Sequence, residues 1–190
     1  PLHDIPSPVE LGWSDHWQEQ FAPHAAARLI AGRVVRGDRA SSLVATAKGI
    51  VRAGTAARLL KSGGGQAALP VAGDWVALSI PDGDGAALIE AVLGRRNAIV
   101  RSDADGTAAV QALAANVDTV FVAHPIADEP NLRRLERELS VAWSSGATPV
   151  VMLTKSDLAN DAEAAREAVA SVAIGVEILV PHLADVEVLH

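Results

Sequence analysis

The sequence contains no cysteine, one methionine and few aromatic residues, and none of its apolar runs is long. Without thiols the chain can form neither a disulfide nor a thiolate-bound metal site, and a reducing, cytoplasmic setting is expected. The six histidines are scattered without the spacing of paired metal ligands, so we predict no metal site. Because a membrane helix needs about 18 apolar residues in a row, neither membrane insertion nor secretion is expected.

A phosphate-binding loop is also missing from the sequence. The pattern Gly-x-x-x-x-Gly-Lys-[Ser/Thr] does not occur, and the segment from Gly54 to Ser62 lacks the second glycine and the correct spacing. Such a loop wraps its backbone N–H groups around nucleotide phosphates, and its hydroxyl holds Mg²⁺. We therefore expect no Mg²⁺ ligands in this chain.

Charge is distributed unevenly along the chain. Between Arg28 and Arg101 eleven Lys and Arg residues stand against five Asp and Glu, whereas the rest of the chain has five against eighteen. A basic stretch next to an acidic remainder is typical of a polyanion-binding module joined to a second domain. The alternative is a solvated surface with a chance excess of arginine.

An aromatic stripe marks the first 27 residues. Trp13, Trp17 and Phe21 are spaced by four, which predicts a short amphipathic helix ended by Pro23. Aromatic residues at this spacing usually face a core. We therefore expect residues 1–27 to form a helical segment that packs against a neighbouring domain.

Short β-like segments dominate residues 28–97. The five predicted strands are Leu29–Val35, Ser42–Thr46, Ile50–Ala53, Trp75–Ile80 and Ala87–Leu93. Turn-forming residues lie between them, at Ala47-Lys48-Gly49, Ser62–Gly65 and Pro81-Asp82-Gly83. Five antiparallel strands in about seventy residues predict a small oligonucleotide/oligosaccharide-binding (OB) barrel, with an SH3-like barrel as the alternative.

After Arg101 the pattern changes to apolar strands that alternate with helices. The predicted elements are the strands Thr119–Ala123, Thr148–Leu153 and Val176–Val180 and the helices Asn131–Ser145 and Asp161–Ser171. This alternation predicts a parallel sheet with crossover helices, which we assign to residues 98–190. The predicted fold class is therefore mixed: an antiparallel barrel followed by an α/β parallel-sheet domain.

The ends of the two predicted helices carry their own signals. Pro130 presets the first turn of one helix, and Gly146 ends it. Asn160 and Glu163 are placed as a capping box at the start of the other.

The four residues after the second of these strands carry chemistry. Ligands of open α/β sheets bind at the carboxyl ends of the strands, and Leu153 is followed by Thr154-Lys155-Ser156-Asp157. This fits [Asn/Thr]-Lys-x-Asp, the pattern with which G domains recognise guanine. The Asp157 carboxylate can accept from the ring N–H and the exocyclic amine of guanine, Lys155 can lie along the base, and Thr154 can brace the loop. The alternative is a polar loop in which Asp157 caps a helix.

Five stretches together resemble the ribosome small-subunit-dependent GTPase A family. They are Val71–Val76, Ala91–Asn97, Gln111–Phe121, Asn131–Arg137 and Pro149–Leu158. The resemblance implies an OB barrel followed by a circularly permuted G domain, present here in part, whose guanine motif precedes the phosphate-binding loop. It covers roughly residues 11–176. It ends where Pro181-His182-Leu183 follows the third strand in place of the family's Ser-Ala pair.

The same resemblance implies a GTPase that assists assembly of the small ribosomal subunit, with hydrolysis stimulated by the ribosome. Its ligand would be GTP or GDP, with Mg²⁺ in a complete protein, and the family's zinc site is absent from this chain. The implied partners are the small subunit and its rRNA, and a cytoplasmic monomer without membrane contact is expected. Because phosphate contacts supply most nucleotide affinity in P-loop proteins, we expect this chain alone to bind guanine nucleotide weakly and to hydrolyse no GTP.

Nine cations of the basic stretch are candidates for contact with RNA phosphates. They are Arg33, Arg36, Arg39, Lys48, Arg52, Arg58, Lys61, Arg95 and Arg96. Trp75 is the only aromatic residue of this stretch, so backbone contact with folded RNA is expected rather than base stacking. The functional alternatives are a non-enzymatic RNA-binding module with an α/β scaffold and an α/β hydrolase of unrelated chemistry, for which no residue set presents itself.

Overall fold

The chain divides into two compact units. A computed structural model describes residues 8–38, 41–61, 69–81, 85–101, 111–127 and 129–181. Contacts separate an N-terminal unit, residues 1–116, from a C-terminal unit, residues 117–190. The domain bounds suggested by the sequence (1–27, 28–97 and 98–190) stay a prediction.

Helix α1, Asp15–Ala26, buries Trp17 and Phe21 as the aromatic spacing predicts. The predicted end at Pro23 is wrong, because the helix continues through this proline to Ala26. Proline removes one backbone donor, but its fixed φ is compatible with a helix. The last turn is closed by the Ala27 N–H, which donates to the His24 carbonyl oxygen at 3.1 Å.

The predicted barrel is confirmed as a closed sheet with the strand order β1-β2-β3-β5-β4. Its strands are β1 Ile30–Gly37, β2 Ser42–Thr46, β3 Gly49–Thr55, β4 Trp75–Ser79 and β5 Ala87–Val92, with the short helix α2, Ala57–Lys61, after β3. Lys48 lies in the predicted hairpin, where Thr46 pairs with Gly49. The predicted turns at Ser62–Gly65 and Pro81-Asp82-Gly83 fall at or in segments outside the described residues.

Strand β4 is buried on both of its faces. Val76 and Leu78 face the barrel interior together with Val34, Val44 and Ile89. On the opposite face, Trp75 and Ala77 pack against Trp17 and Phe21 of α1. Because successive side chains of a strand point to opposite faces, one strand joins the aromatic cluster of α1 to the barrel core.

A two-stranded antiparallel sheet, β6 Ala98–Arg101 and β7 Gln111–Ala115, follows the barrel. These two strands were not predicted: β6, which reads AIVR, is only four residues long, and β7 reads QALAA and carries no β-branched or aromatic residue. The Ala115 N–H of β7 donates to the Ala72 carbonyl oxygen at 2.9 Å, which ties this hairpin to the segment that leads into β4.

The predicted parallel sheet is confirmed in the C-terminal unit, with the order β10-β9-β8. Its elements are β8 Thr119–Pro125, α3 Leu132–Ser144, β9 Thr148–Thr154, α4 Ala162–Val172 and β10 Glu177–Leu179. The core contains Val122, Leu135, Leu139, Val151 and Val169, which come from β8, β9 and both helices. None of the helices described in either unit is long and apolar enough to cross a membrane.

The helix caps agree with the sequence for α3 and differ for α4. The Asn131 side chain accepts from the Arg134 N–H at 3.0 Å, and Gly146 follows α3 with a φ of +79°. The predicted capping box of Asn160 and Glu163 is wrong. Asp161 is the cap instead, because its extended backbone lets the carboxylate accept from the Ala164 N–H at 2.9 Å.

Candidate functional site

The segment Thr154-Lys155-Ser156-Asp157, which we call the guanine loop, begins at the carboxyl end of β9. In the parallel register Pro125 of β8 lies beside Thr154. The Ile126 N–H donates to the Thr154 carbonyl oxygen at 2.9 Å, which fixes the start of the loop on the end of β8. The loop therefore leaves the sheet at the edge where α/β proteins bind ligands.

The backbone of Lys155 turns the chain away from the sheet. Its φ of +59° and ψ of +32° place it in the left-handed region, which costs a residue with a side chain roughly 1–2 kcal/mol. A single 3₁₀ turn, Ser156–Leu158, follows directly. Strained backbone of this kind is common at binding sites.

Asp157 is exposed, and its carboxylate makes no hydrogen bond or ion pair with another described residue. The helix cap that follows the loop is Asp161. The capping role that was the alternative for Asp157 is therefore taken by another carboxylate. The acceptor oxygens of Asp157 are available to a ligand.

A small pocket lies where β8 ends and α3 begins. It has a volume of about 190 Å³. Its lining includes His124, Pro125, Glu129, Asn131, Arg134 and Lys155, and we call it the His124 pocket. Lys155 is the one guanine-loop residue among those that line it.

His124 is the most unusual side chain of this pocket. It is 1% exposed, and neither ring nitrogen has a hydrogen-bond partner among the described residues. Burial lowers the pKa of His124 below its ordinary value of 6.5; the nearby Glu138 charge raises the pKa and Arg134 lowers it. A buried donor or acceptor without a partner costs about 1–3 kcal/mol.

Sequence reasoning missed His124 as a site residue, although a signal was present. Val120 and Val122 precede it on the inward-facing positions of β8, so the period of two puts an imidazole where another apolar side chain is expected. An inward-pointing polar residue at the end of a parallel strand is therefore the feature that reveals it.

The nine candidate cations of the barrel fall into different environments. The exposed ones are Arg36, Lys48, Arg52, Arg58, Lys61 and Arg96. Arg39 lies outside the described residues. The remaining two, Arg33 and Arg95, are partly buried and make internal contacts.

Arg36 and Arg52 lie on the outer face of the barrel. Both pair in register with Leu43 of β2, from opposite sides, so the three side chains share one face. The Oδ1 atom of Asp38 lies 3.2 Å from Nε of Arg36, and its Oδ2 atom lies 3.8 Å from Nη1 of Arg52. Two cations that share one carboxylate leave a net positive charge at this position.

Arg95 forms a buried bidentate pair with Asp74. Its Nε donates to Oδ1 and its Nη2 to Oδ2, both at 2.7 Å, and Asp74 is 0% exposed. The Nη2 group also donates to the Leu69 carbonyl oxygen at 2.8 Å. The guanidinium of Arg95 is thus engaged in holding the barrel.

Arg33 is engaged in a similar way by backbone oxygens. It donates to the carbonyl oxygens of Leu11, Gly73 and Asn116. Its guanidinium also lies over the Trp75 ring, 5.6 Å from the centroid. Composition alone could not distinguish these two arginines from the exposed ones.

A larger cleft of about 680 Å³ also occurs in the N-terminal unit. Its lining includes Gly37, Asp38, Thr55, Leu60, Val71 and Gln111. These residues come from separate segments and share no motif, so the cleft could not be predicted from the sequence. Within the described residues, no cluster of three or more His, Cys, Asp or Glu side chains could hold a metal ion.

The chain matches one protein family and several proteins of that family. A family described as RsgA GTPase matches residues 92–189. The small ribosomal subunit biogenesis GTPase RsgA of Streptomyces coelicolor is 45% identical over 150 residues, which cover 79% of this chain and 40% of that protein. The protein of the same name from Opitutus terrae is 42% identical over 163 residues, which cover 82% and 44%. The chain therefore spans less than half the length of these two relatives.

Two solved structures share the fold. YjeQ from Thermotoga maritima has a TM-score of 0.58 at 21% identity, and the match covers 80% of this chain and 51% of that protein. YloQ, a circularly permuted GTPase, has a TM-score of 0.55 at 15% identity, with the same coverage. At this identity the similarity concerns the fold, which agrees with a closed barrel followed by a parallel sheet.

Proposed function

Since this chain belongs to the RsgA GTPase family, we propose that it is part of a GTP-binding factor that acts on the small ribosomal subunit during its assembly. The C-terminal unit recognises guanine, and the barrel docks on ribosomal RNA. GTP or GDP is the ligand, Mg²⁺ accompanies it in a complete protein, and the ribosome stimulates hydrolysis. The factor works as a cytoplasmic monomer.

The observation that carries this proposal is the free carboxylate of Asp157 at the carboxyl end of β9. A carboxylate can accept from both N–H groups on one edge of guanine, whereas adenine does not present that pair of donors. The register that fixes Thr154 beside Pro125 holds the loop at the ligand-binding edge of the sheet. Guanine preference thus follows from one side chain and its position.

Catalysis by these 190 residues alone is not part of the proposal, because the sequence contains no phosphate-binding loop. We expect weak binding of guanine nucleotide and no GTP turnover by the isolated chain. Measurable turnover by the purified chain, lost in an Asp157 variant, would contradict this expectation.

The guanine preference is tested with nucleosides, which carry no phosphate. Replacing Asp157 by Asn exchanges an acceptor for an N–H donor, which suits xanthine, whose carbon 2 carries an oxygen in place of the amine. We expect Asp157→Asn to bind guanosine at least about tenfold more weakly, as for a lost charge-assisted hydrogen bond, and to gain affinity for xanthosine. Calorimetric titration with guanosine, xanthosine and adenosine measures the three affinities.

The matched control is Glu163→Gln, which neutralises another exposed carboxylate, near the start of α4. It should leave all three affinities unchanged. If Asp157→Asn and Glu163→Gln both leave guanosine preference intact, the guanine loop is a scaffold. The non-enzymatic RNA-binding module would then be the better description.

The RNA-docking part rests on the exposed barrel cations, above all Arg36 and Arg52. Side chains that carry charge into solvent on one face can neutralise backbone phosphates of folded RNA. Arg33 and Arg95 support this surface from within, since their guanidinium groups are held by internal partners. Lys48, Arg58, Lys61 and Arg96 extend the set of exposed cations.

A further inference from the structure

His124 is a candidate ligand contact, because no described residue forms a hydrogen bond with its ring. It is buried, and both ring nitrogens are without a partner among the described residues. Buried polar side chains are nearly always hydrogen-bonded, and an exception indicates a functional role or a bound group. A pocket of about 190 Å³ adjoins this imidazole and offers space for such a group.

Several groups that can donate to an anion line the His124 pocket. Among the described residues Arg134 and Lys155 contribute two cations to the lining and Glu129 one carboxylate. The carboxylate of Glu138, which pairs with Arg134, is also close enough to raise the pKa of His124. The pocket also includes Asn131, the N-cap of the 13-residue helix α3, so the positive end of the helix dipole faces it. The Nε atom of Arg134 pairs with Glu138 Oε1 at 2.7 Å, and the other four N–H donors of the guanidinium lie on its two Nη atoms.

The pocket is continuous with the guanine loop. Lys155 belongs to both, and His124 lies beside Leu153 in the β8–β9 register, one residue before the loop begins. A ligand whose base contacts Asp157 and whose anionic part reaches past Lys155 would meet the imidazole of His124. A neutral imidazole can donate one N–H to such an anion.

We propose that the His124 pocket is an oxyanion subsite that binds a phosphate group of the guanine nucleotide recognised by the guanine loop. The subsite rests on the function proposed for that loop. The His124 N–H, the Arg134 guanidinium and the Lys155 ammonium supply the donors. In this way the chain retains some affinity for phosphate in the absence of a glycine-rich phosphate loop.

The test compares guanosine, GDP and inorganic phosphate on the full chain at constant ionic strength. Binding is measured by calorimetry, and the ring signals of His124 are followed by NMR, with those of the exposed His16 as the internal reference. We expect phosphate and GDP to shift the His124 signals and leave those of His16 unchanged. GDP should bind at least about tenfold more tightly than guanosine, the effect of one charge-assisted hydrogen bond.

Two variants separate the subsite from the base site. His124→Ala and Arg134→Gln should each remove most of the advantage of GDP over guanosine and leave guanosine affinity unchanged. Arg134→Gln is the safer variant for folding, because Arg134 is exposed and glutamine is a good helix former. Arg133→Gln, its exposed neighbour on α3, is the matched control and should leave GDP binding unchanged.

The outcomes distinguish this inference from the proposed function. If guanosine still binds in preference to adenosine but GDP binds no better and does not shift His124, the subsite is wrong and the guanine loop stands. If guanosine shows no preference, the proposed function fails first. If phosphate shifts His124 but GDP does not compete with it, the pocket binds a separate phosphate, which also overturns the nucleotide subsite.

Discussion

The carboxylate of Asp74 is completely buried and still fully paired, because Arg95 binds both of its oxygens. The Val71 N–H donates to the same carboxylate at 2.8 Å. A buried ion pair of this kind is weak evidence for extra stability, but removing one partner leaves an uncompensated charge. Removing one partner of the Asp74–Arg95 pair should therefore destabilise the barrel strongly.

We expect Asp74→Ala to lower the free energy of unfolding of the N-terminal unit by about 3–5 kcal/mol, because the Arg95 guanidinium loses its counterion. Urea unfolding followed by the fluorescence of buried Trp17 and Trp75 measures the change. The control is Asp38→Ala, which removes a carboxylate paired with exposed arginines and should cost less than about 1 kcal/mol. Equal losses in the two variants would contradict the role assigned to burial.

His124 predicts a pH dependence of stability in the C-terminal unit. Because burial holds the folded-state pKa of His124 below 6.5, the unfolded chain takes up a proton first as the pH falls. The stability that neutral His124 contributes is therefore fully present above pH 6.5. It declines below that pH, with a slope of up to about 1.4 kcal/mol per pH unit, until the folded-state pKa is reached. Glu138 opposes this decline, since its charge raises the same pKa.

The measurement is the unfolding free energy of the chain and of His124→Asn between pH 5 and pH 8, a range that brackets the ordinary histidine pKa of about 6.5. Hydrogen exchange of amides in β8 and β9 reports the C-terminal unit. The variant should flatten the profile below pH 6.5, whereas His16→Asn, which removes an exposed imidazole from the N-terminal unit, should not. A steep profile that survives in His124→Asn would assign the effect to another group.

At the scale of secondary structure elements, Gly73 determines how closely the β6–β7 hairpin approaches the barrel. Its φ is +89°, and a Cβ atom at this position would lie 1.9 Å from the Ala115 carbonyl oxygen. The backbone contact between Ala72 and Ala115 depends on that approach. A side chain here would have to move one backbone segment away from the other.

We expect Gly73→Ala to destabilise the N-terminal unit by about 2–4 kcal/mol, because backbone strain and a steric clash act together. Gly12→Ala is the milder comparison: its φ is +87°, and among the described residues a Cβ would meet the end of the Arg33 side chain, Nη1, at 3.3 Å. It combines similar backbone strain with a much weaker contact and should cost about 1 kcal/mol. Thermal unfolding by circular dichroism compares them, and equal losses would remove the close approach as the cause.

The elements that could be predicted from sequence are those with a strong period. Alternating and β-branched segments indicated the barrel strands, and the spacing of Leu132, Leu135 and Leu139 indicated α3. The β6–β7 hairpin was not predicted, because β6 is only four residues long, the alanine-rich β7 has no periodic signal, and β7 also bridges to Ala72 in a distant segment. Pro23 was misread because one missing donor does not end a helix that is held by packed aromatic residues.

Some features of the candidate site could be predicted from the sequence and others could not. The position of Thr154–Asp157 at a strand end could be predicted, because these contiguous residues follow a buried apolar strand, whereas their contact with guanine stays a prediction. The roles of Arg33 and Arg95 could not, since an arginine that binds carbonyl oxygens or a buried carboxylate has the same composition as an exposed one. His124 could be recognised as a site residue only from its burial and from the pocket beside it.

At the scale of the whole molecule, the net charge of -7 hides two opposite balances. Residues 28–101 carry an excess of cations, whereas the rest of the chain is strongly acidic. An acidic protein can still bind a polyanion if its cations are gathered on one module. The charge pattern therefore supports the proposal that the barrel is the part that docks on RNA, and it predicts repulsion of RNA by much of the remaining surface.

Docking through the barrel predicts a steep and separable salt dependence. Each cation that neutralises a phosphate contributes about one unit to the slope of log K against log salt concentration. The double variant Arg36→Ala/Arg52→Ala should therefore weaken binding to purified small ribosomal subunits and reduce the magnitude of the slope by about two. Sedimentation of the chain with the subunits at several salt concentrations measures both quantities.

The control for this prediction changes the same amount of charge on the other unit. Arg133→Ala/Arg137→Ala removes two exposed cations from α3 and should leave the slope nearly unchanged. If both double variants reduced the slope equally, binding would follow total charge and no docking surface could be assigned. If only the α3 variant reduced it, the C-terminal unit would be the docking surface. A reduction confined to the barrel variant requires that Arg36 and Arg52 meet phosphates directly, since both double variants lower the net charge by the same amount.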